Sequence, residues 1–296
     1  MYYTATPHIG AGIGHQLGNW SAGYYYAKAF GLKFAHTPFS SIQWEEFLGF
    51  GENETLVKDL VQKENYKKRK LPLFSNLQGL DLNKQIISSY KGRKIIFVSE
   101  QDQQCTNPIV VYEDIRYKFK NAKHRKYDHL IYSPQNLNVA IHIRRGDIMI
   151  GAKVNPVYEE RFQKNSYYLN ILNKIVTNSN ITKPLCLYVF SQGQESDFDD
   201  FKIYDNVIFC LDMNPYDSFL HLANADLLLT SKSSFSYYAA FLSDGIRICP
   251  AVFCHPYPDN DCWLLADTDG IICEQKLNQA LCCKKNELAT SDIIAL

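Results

Sequence analysis

Excess charge of either sign is missing from this sequence: 31 lysines and arginines are matched by 31 aspartates and glutamates. A protein that coats DNA or RNA carries a basic surplus, so nucleic acid is excluded as the main partner. Also missing is any run of 18 or more apolar residues, which excludes a membrane-spanning helix. The opening Met-Tyr-Tyr-Thr-Ala-Thr-Pro-His has neither the basic start nor the apolar core of a secretory leader. The nine cysteines include no Cys-x-x-Cys pair, so no metal is expected from them. Several, such as Cys186 and Cys210, sit inside apolar runs, where a thiol behaves as a small buried hydrophobe. Together these absences lead to the expectation of a cytoplasmic protein with reduced thiols. Internal repeats and low-complexity stretches are absent as well. One local surplus of charge exists, Lys67–Lys70. It reads first as a solvated loop and second as a point of contact with acceptor or membrane glycolipid, so peripheral membrane association stays open.

What is present is an ordinary globular mixture, 46% hydrophobic and 21% charged over 296 residues. A chain of this length buries a large core without covalent staples. Short apolar runs alternate with helix-like segments, the pattern of βαβ units on a mainly parallel sheet. A glycine cluster at Gly10, Gly12 and Gly14 is followed by a helical pattern from His15 to Phe30, with Gly31 as its stop, and by a strand over 32–36. Strand, glycine turn, helix, strand is the opening of a Rossmann-like half. Further strands are expected over 94–98, 137–143, 185–191, 206–211, 226–230 and 246–250. Helices are expected over 112–129, 167–176, 217–225 and 235–242. The fold class is therefore α/β, with two Rossmann-like domains, 1–135 and 136–296, divided near Ser133-Pro-Gln-Asn136.

Two segments carry chemistry. Ile141-His-Ile-Arg-Arg-Gly-Asp147 places adjacent arginines at the carboxyl end of a strand, where α/β sheets bind ligands. Strand side chains alternate, so Arg144 and Arg145 point opposite ways. One is free to grip a ligand while the other anchors the loop, for example on Asp147. A guanidinium fork matches a diphosphate, and it stabilises the charge that such a leaving group gains. The second segment, Thr230-Ser-Lys-Ser-Ser-Phe-Ser236, gathers hydroxyls at a helix start, a place suited to phosphate, although simple capping accounts for one of those serines.

Together with the glycine turn, these segments resemble the α-1,2-, α-1,6- and protein O-fucosyltransferase superfamily, and the α-1,2 branch most. The branch's Gly-x-Gly-Asn-Gln turn is matched by Gly12-Ile-Gly-His-Gln16, and its His-x-Arg-Arg-Gly-Asp motif is complete at His142–Asp147. Its Tyr-Tyr helix start is found at Tyr167-Tyr168, and its Ser-Thr-Phe-Ser-Trp-Trp-Ala-Ala segment is approximated by Ser233-Ser-Phe-Ser-Tyr-Tyr-Ala-Ala240. The resemblance spans residues 10 to about 252. It implies a GT-B-like fold with the two domains facing a cleft, the first on the acceptor side and the second binding nucleotide-sugar. It further implies GDP-fucose as donor, an oligosaccharide acceptor, inversion at the anomeric carbon, and no metal or other cofactor. Carried over by position, Arg144 is the β-phosphate arginine and His142 stands beside the nucleotide. Gly12, Gly14, Arg145 and Asp147 belong to the donor motifs, and Ser233, Ser234, Phe235 and Ser236 form the second phosphate-side motif. Asp217 lies near the place of a guanine-reading aspartate. His15 replaces the turn's asparagine, and Tyr237-Tyr238 replace a tryptophan pair. The glutamate base of the α-1,6 branch falls on Ala152, so no carboxylate base transfers. His15 is therefore the candidate base, with Glu159 and Glu160 behind it.

Rival readings keep less of the pattern. A metal-dependent GT-A transferase would use Asp197-Phe-Asp199 or Asp259-Asn-Asp261. The same fold with a xylosyl, rhamnosyl or mannosyl donor differs only in pocket shape. A lectin-like relic would bind without turnover. A nicotinamide oxidoreductase lacks its third fingerprint glycine.

Overall fold

The computed structural model describes residues 1–99, 108–151 and 155–294. Ala152 and Cys105 lie outside the described residues. The chain divides into two compact units, Met1–Asp128 and His129–Leu296, so the division falls ahead of the Ser133–Asn136 segment.

The first unit holds strands β1 (Tyr2–Ala5), β2 (Lys33–Phe34), β3 (Lys67–Lys70) and β4 (Ile95–Ser99) in the order β2-β1-β4-β3. All three pairings are parallel. Its helices are α1 (Ile13–Ala29), α2 (Ile42–Leu48), α3 (Val57–Glu64), α4 (Leu77–Ser89) and α5 (Tyr112–Lys120). Helix α1 is buried on most of its surface, including Gln16, Asn19 and Ser21. It lies close on β1 because Gly23 has no side chain: a Cβ there would sit 2.5 Å from the Ala5 Cβ and 2.7 Å from its nitrogen. Strand β2 is shorter than the apolar pattern over 32–36 suggests. Ala35 still donates to Tyr3, but His36 turns away and donates to Thr55. The helix expected over 112–129 stops at Asn121, whose side chain donates to the Tyr117 carbonyl, and a 3₁₀ turn over Lys123–Tyr127 follows. Lys67–Lys70 is a strand, not the expected loop. Backbone pairing to β4 holds it, all four side chains are exposed, and four cations on a sheet edge oppose edge-to-edge association.

The second unit has six parallel strands in the order β10-β9-β8-β5-β6-β7. They are β5 (Leu137–His142), β6 (Leu185–Ser191), β7 (Val207–Leu211), β8 (Leu227–Leu229), β9 (Ile246–Pro250) and β10 (Trp263–Ala266). The helices are α6 (Asp147–Gly151), α7 (Asn165–Val176), α8 (Pro215–Asn224), α9 (Ser234–Leu242) and α10 (Glu274–Ile294). Strand β5 is central and buried over Asn138–Ile141, which is why it reads as a continuous rather than an alternating apolar run. Its core partners include Ile171 and Ile175 of α7 and Leu277 and Leu281 of α10. The ends of β5 and β8 are clipped together: Asn138 donates from both its amides to the Asp226 carboxylate at 2.7 and 3.0 Å. Strand β10 and helix α10 escape the periodicity reading, because β10 is four residues long and exposes Leu265 on the sheet edge. Among the described residues no cysteine is in a disulfide.

Candidate functional site

From β5 the chain runs outward through β6 and β7, then returns to the other side of β5 and continues through β8, β9 and β10. The connections that leave the carboxyl ends of the neighbouring strands β5 and β8 therefore run in opposite directions, which is the topological switch point of a doubly wound sheet. Both sequence motifs end there. His142 closes β5, and its Nδ1 lies 2.8 Å from the Ser231 Oγ just past β8. The Phe235 ring covers the imidazole at 5.5 Å between centroids, and Phe219 of α8 backs Phe235 at 5.3 Å. The residue as a whole is half-buried, and its ring is enclosed. Burial, reinforced by the neighbouring Arg144 charge, pushes its pKa down from 6.5 to about 3. His142 is thus a neutral imidazole at physiological pH.

The two arginines take different work, and the division differs from the expected one. Arg144 is the residue held by Asp147: its Nε and one terminal nitrogen donate to the two carboxylate oxygens at 3.2 and 2.6 Å. Its other terminal nitrogen stands at 3.5 Å from the Lys232 carbonyl, in the turn after β8. Arg145 anchors the loop by another route. It donates to the Arg144 carbonyl at 3.0 Å and to Asn165 at 2.8 Å, with its guanidinium 4.4 Å from the Phe162 ring centre. Asn165 in turn donates to the Asp197 carbonyl. Arg145, assigned to donor binding, is thus engaged with the loop itself. Gly146 makes the turn between Arg145 and Asp147, at φ +55, where a Cβ would lie 2.0 Å from the Gln192 Oε1.

The hydroxyls of the second segment divide as well. Ser233 caps α9, accepting from the Phe235 amide at 3.3 Å. The fully buried Ser236 accepts from the Ser231 amide and donates to the Ser233 carbonyl, both at 3.3 Å. These two hydroxyls build the turn. The Lys232 amide donates to Gln163 at 2.9 Å. Ser234, in the first turn of α9, pairs with the His255 Nε2 at 2.7 Å, and His255 stacks on Tyr237 at 4.5 Å. Neither His255 nor Gln163 was legible beforehand, because no spacing rule links them to the motifs they support. Asp217 is exposed in the first turn of α8, on the same sheet edge as His142, and its carbonyl accepts from His221 at 2.6 Å.

In the first unit, Gly12 is the N-cap of α1, with an ordinary φ of −61 and open space where a Cβ would be. Gly14 is buried in the helix. Gln16 staples the turn: its amide donates to the Ala11 carbonyl at 2.8 Å and to the Ser40 Oγ at 2.7 Å, and accepts from the Ser40 amide at 3.0 Å. His15 is exposed in the first turn of α1 and meets the His8 ring edge-on at 5.4 Å. Beneath them, Trp20 donates to His36 at 3.0 Å and His36 pairs with Glu45 at 2.8 Å. Burial works against the Glu45 charge, yet the bonds from His36 and the Phe39 amide outweigh it and lower the pKa.

Glu159 and Glu160 are exposed in a 3₁₀ turn. Of the Asp-x-Asp triplets, Asp197 caps a 3₁₀ segment through the Gln194 amide and Asp199 pairs with Lys202. Among the described residues, no three His, Cys, Asp or Glu side chains gather as a metal site. No helix among them is long and apolar enough to cross a membrane.

No family model matches this chain, and no curated protein matches its sequence. Solved structures do match. The apo form of POFUT1 superposes with a TM-score of 0.52 at 13% identity, covering 85% of this chain and 98% of its own. POFUT1 in complex with GDP gives 0.50 at 13% identity, over 85% and 99%. The fucosyltransferase NodZ from Bradyrhizobium gives 0.47 at 12%, over 82% and 91%. The two parallel-sheet units thus have the α/β fold of GT-B fucosyltransferases.

Proposed function

We propose that this chain is an inverting glycosyltransferase, of the α-1,2-fucosyltransferase kind, that moves L-fucose from GDP-fucose to a hydroxyl of a glycan acceptor. The observation that carries the reading is the position of Arg144: a guanidinium with two of its nitrogens fixed by Asp147, at a switch point, beside the N-terminus of a nine-residue helix. A diphosphate placed there meets a permanent cation and the positive end of α9. The Phe235 ring, backed by the neutral His142, offers a flat, uncharged flank for the nucleoside, and the exposed Asp217 carboxylate suits the N–H edge of guanine. The second unit is then the donor domain and the first the acceptor domain.

The reaction is a single displacement. The acceptor oxygen forms a bond to the anomeric carbon on the face opposite the diphosphate, the bond from that carbon to the phosphate oxygen breaks, and its electron pair leaves with GDP. Arg144 and the α9 amides stabilise the growing phosphate charge. The acceptor proton passes to His15, exposed at the start of α1. We place the reaction in the cytoplasm, with peripheral membrane contact through the basic strand β3.

Calorimetric titration of GDP and UDP, with and without Mn, tests the donor assignment. GDP binding without metal that is lost in Arg144→Ala supports it. A preference for UDP, or binding only with Mn, overturns it.

A further inference from the structure

A cavity of about 280 Å³ opens where the carboxyl ends of β9 and β10 meet the start of α7. None of the donor motifs predicts it, yet it shares a wall with the donor turn. Lys232 lines it, and the backbone of Lys232 is held on one side by Gln163 and reaches toward Arg144 on the other. The charges around it cancel: Lys164 and Lys232 face Asp267 and Asp269. A site for a free anion or cation would not be balanced in this way. Ser166, Asn170 and Thr268 add hydroxyl and amide groups to the lining. Two apolar surfaces complete it, Val252 at 67% and Phe162 at 37% exposure. Tyr167 is also part of the lining; its hydroxyl is buried and makes no hydrogen bond of good geometry, although the Gln163 side chain is near enough to influence it. A buried hydroxyl without a partner is unusual.

A neutral ligand that needs donors and acceptors together, plus one apolar face, is a pyranose ring. Its hydroxyls are recognised by carboxylates, ammonium groups and amides, and its C–H face packs on apolar side chains. We propose that this cavity is a subsite for one pyranose unit, placed beside the donor diphosphate. The assignment of the sugar's source rests on the fucosyltransferase reading, whereas the presence of a sugar subsite does not. Two sources share the chemistry, the sugar of the donor and a sugar of the acceptor.

Saturation-transfer NMR on the full chain, with free fucose, galactose, glucose and N-acetylglucosamine as probes, tests the subsite. Thr268→Trp and Ser166→Trp fill the cavity from exposed positions, so both variants keep the fold. Millimolar binding of at least one sugar to the wild type, lost in both variants while GDP affinity stays within about twofold, is the expected result. Displacement of the sugar by saturating GDP-fucose assigns the subsite to the donor, and simultaneous binding assigns it to the acceptor. Absence of any sugar signal, or a signal unchanged in both filled variants, overturns the proposal. A wild type that binds sugar but not GDP would overturn the donor reading and leave the subsite standing.

Discussion

Arg144 and Arg145 are adjacent and chemically identical, and their environments give them separate tasks. Arg145 is spent on Asn165, the Arg144 carbonyl and Phe162, so its replacement loosens the loop. Arg144 faces the turn after β8, so its replacement removes charge from the site. Arg144→Ala is expected to weaken GDP roughly 10- to 100-fold, the worth of hydrogen bonds to a charged group, with little change in thermal midpoint. Arg145→Ala is expected to lower the thermal midpoint as well as the affinity, and calorimetry with thermal denaturation separates the two. His142 supplies a pH prediction. The unfolded imidazole takes up a proton near pH 6.5, whereas the folded one holds off until about 3. As pH falls through that window the unfolded chain binds the extra proton, so stability is full above about 6.5 and declines below it. His142→Asn removes this titration, and its urea midpoint is expected to drop less between pH 7 and pH 4.5 than that of the wild type. The motif arginines and His142 were legible because chemistry of that kind needs a strand end. The division of labour between the arginines was not, because it depends on Asn165 and Phe162, which reach the loop only through the packing of α7 and the segment before it.

At the scale of elements, the glycine turn and the β8–α9 turn are both over-determined by their own side chains. Gln16 makes three hydrogen bonds around the first. In the second, Ser236 holds two residues of the turn from a fully buried position. Ser236→Ala leaves the Ser231 amide without its partner and is expected to cost about 1–3 kcal/mol in chemical denaturation. GDP affinity should fall with it, since the turn aims α9. Gly23→Val forces a side chain into Ala5 on β1 and is expected to cost about 1–3 kcal/mol or more. Buried parallel strands such as β5 and β6 were readable from sequence because both of their faces are covered. Among the elements that escaped, β3 and β10 are sheet edges, where the apolar period is weak and backbone pairing alone defines the strand, α10 lies at the chain's end, and α2, α3, α4 and α6 are further helices for which no period was read.

For the whole molecule, the two units give ligand effects an address. Donor binding at the β5–β8 switch point is expected to slow amide exchange over 142–147 and 231–238 in the full chain, and to leave the interior of the first unit, such as β1 and β4, unchanged. Exchange mass spectrometry with and without GDP checks this. Protection confined to the first unit would contradict the placement of the donor. A different consequence follows from the order of the strands. Among the described residues every strand pairing in both sheets is parallel, so no hairpin there closes early. Strand β5 takes β6 as one neighbour soon after synthesis, but its other neighbour, β8, is made only after β7 and α8. Until then one edge of this buried central strand of the second unit is open, and the loop that must close is long. The clip between Asn138 and Asp226 joins the two strands at their first residues, where it would hold the register as the late strand arrives. Asp226→Ala should therefore slow refolding and favour aggregation of the nascent chain, out of proportion to any change it makes in the finished donor site.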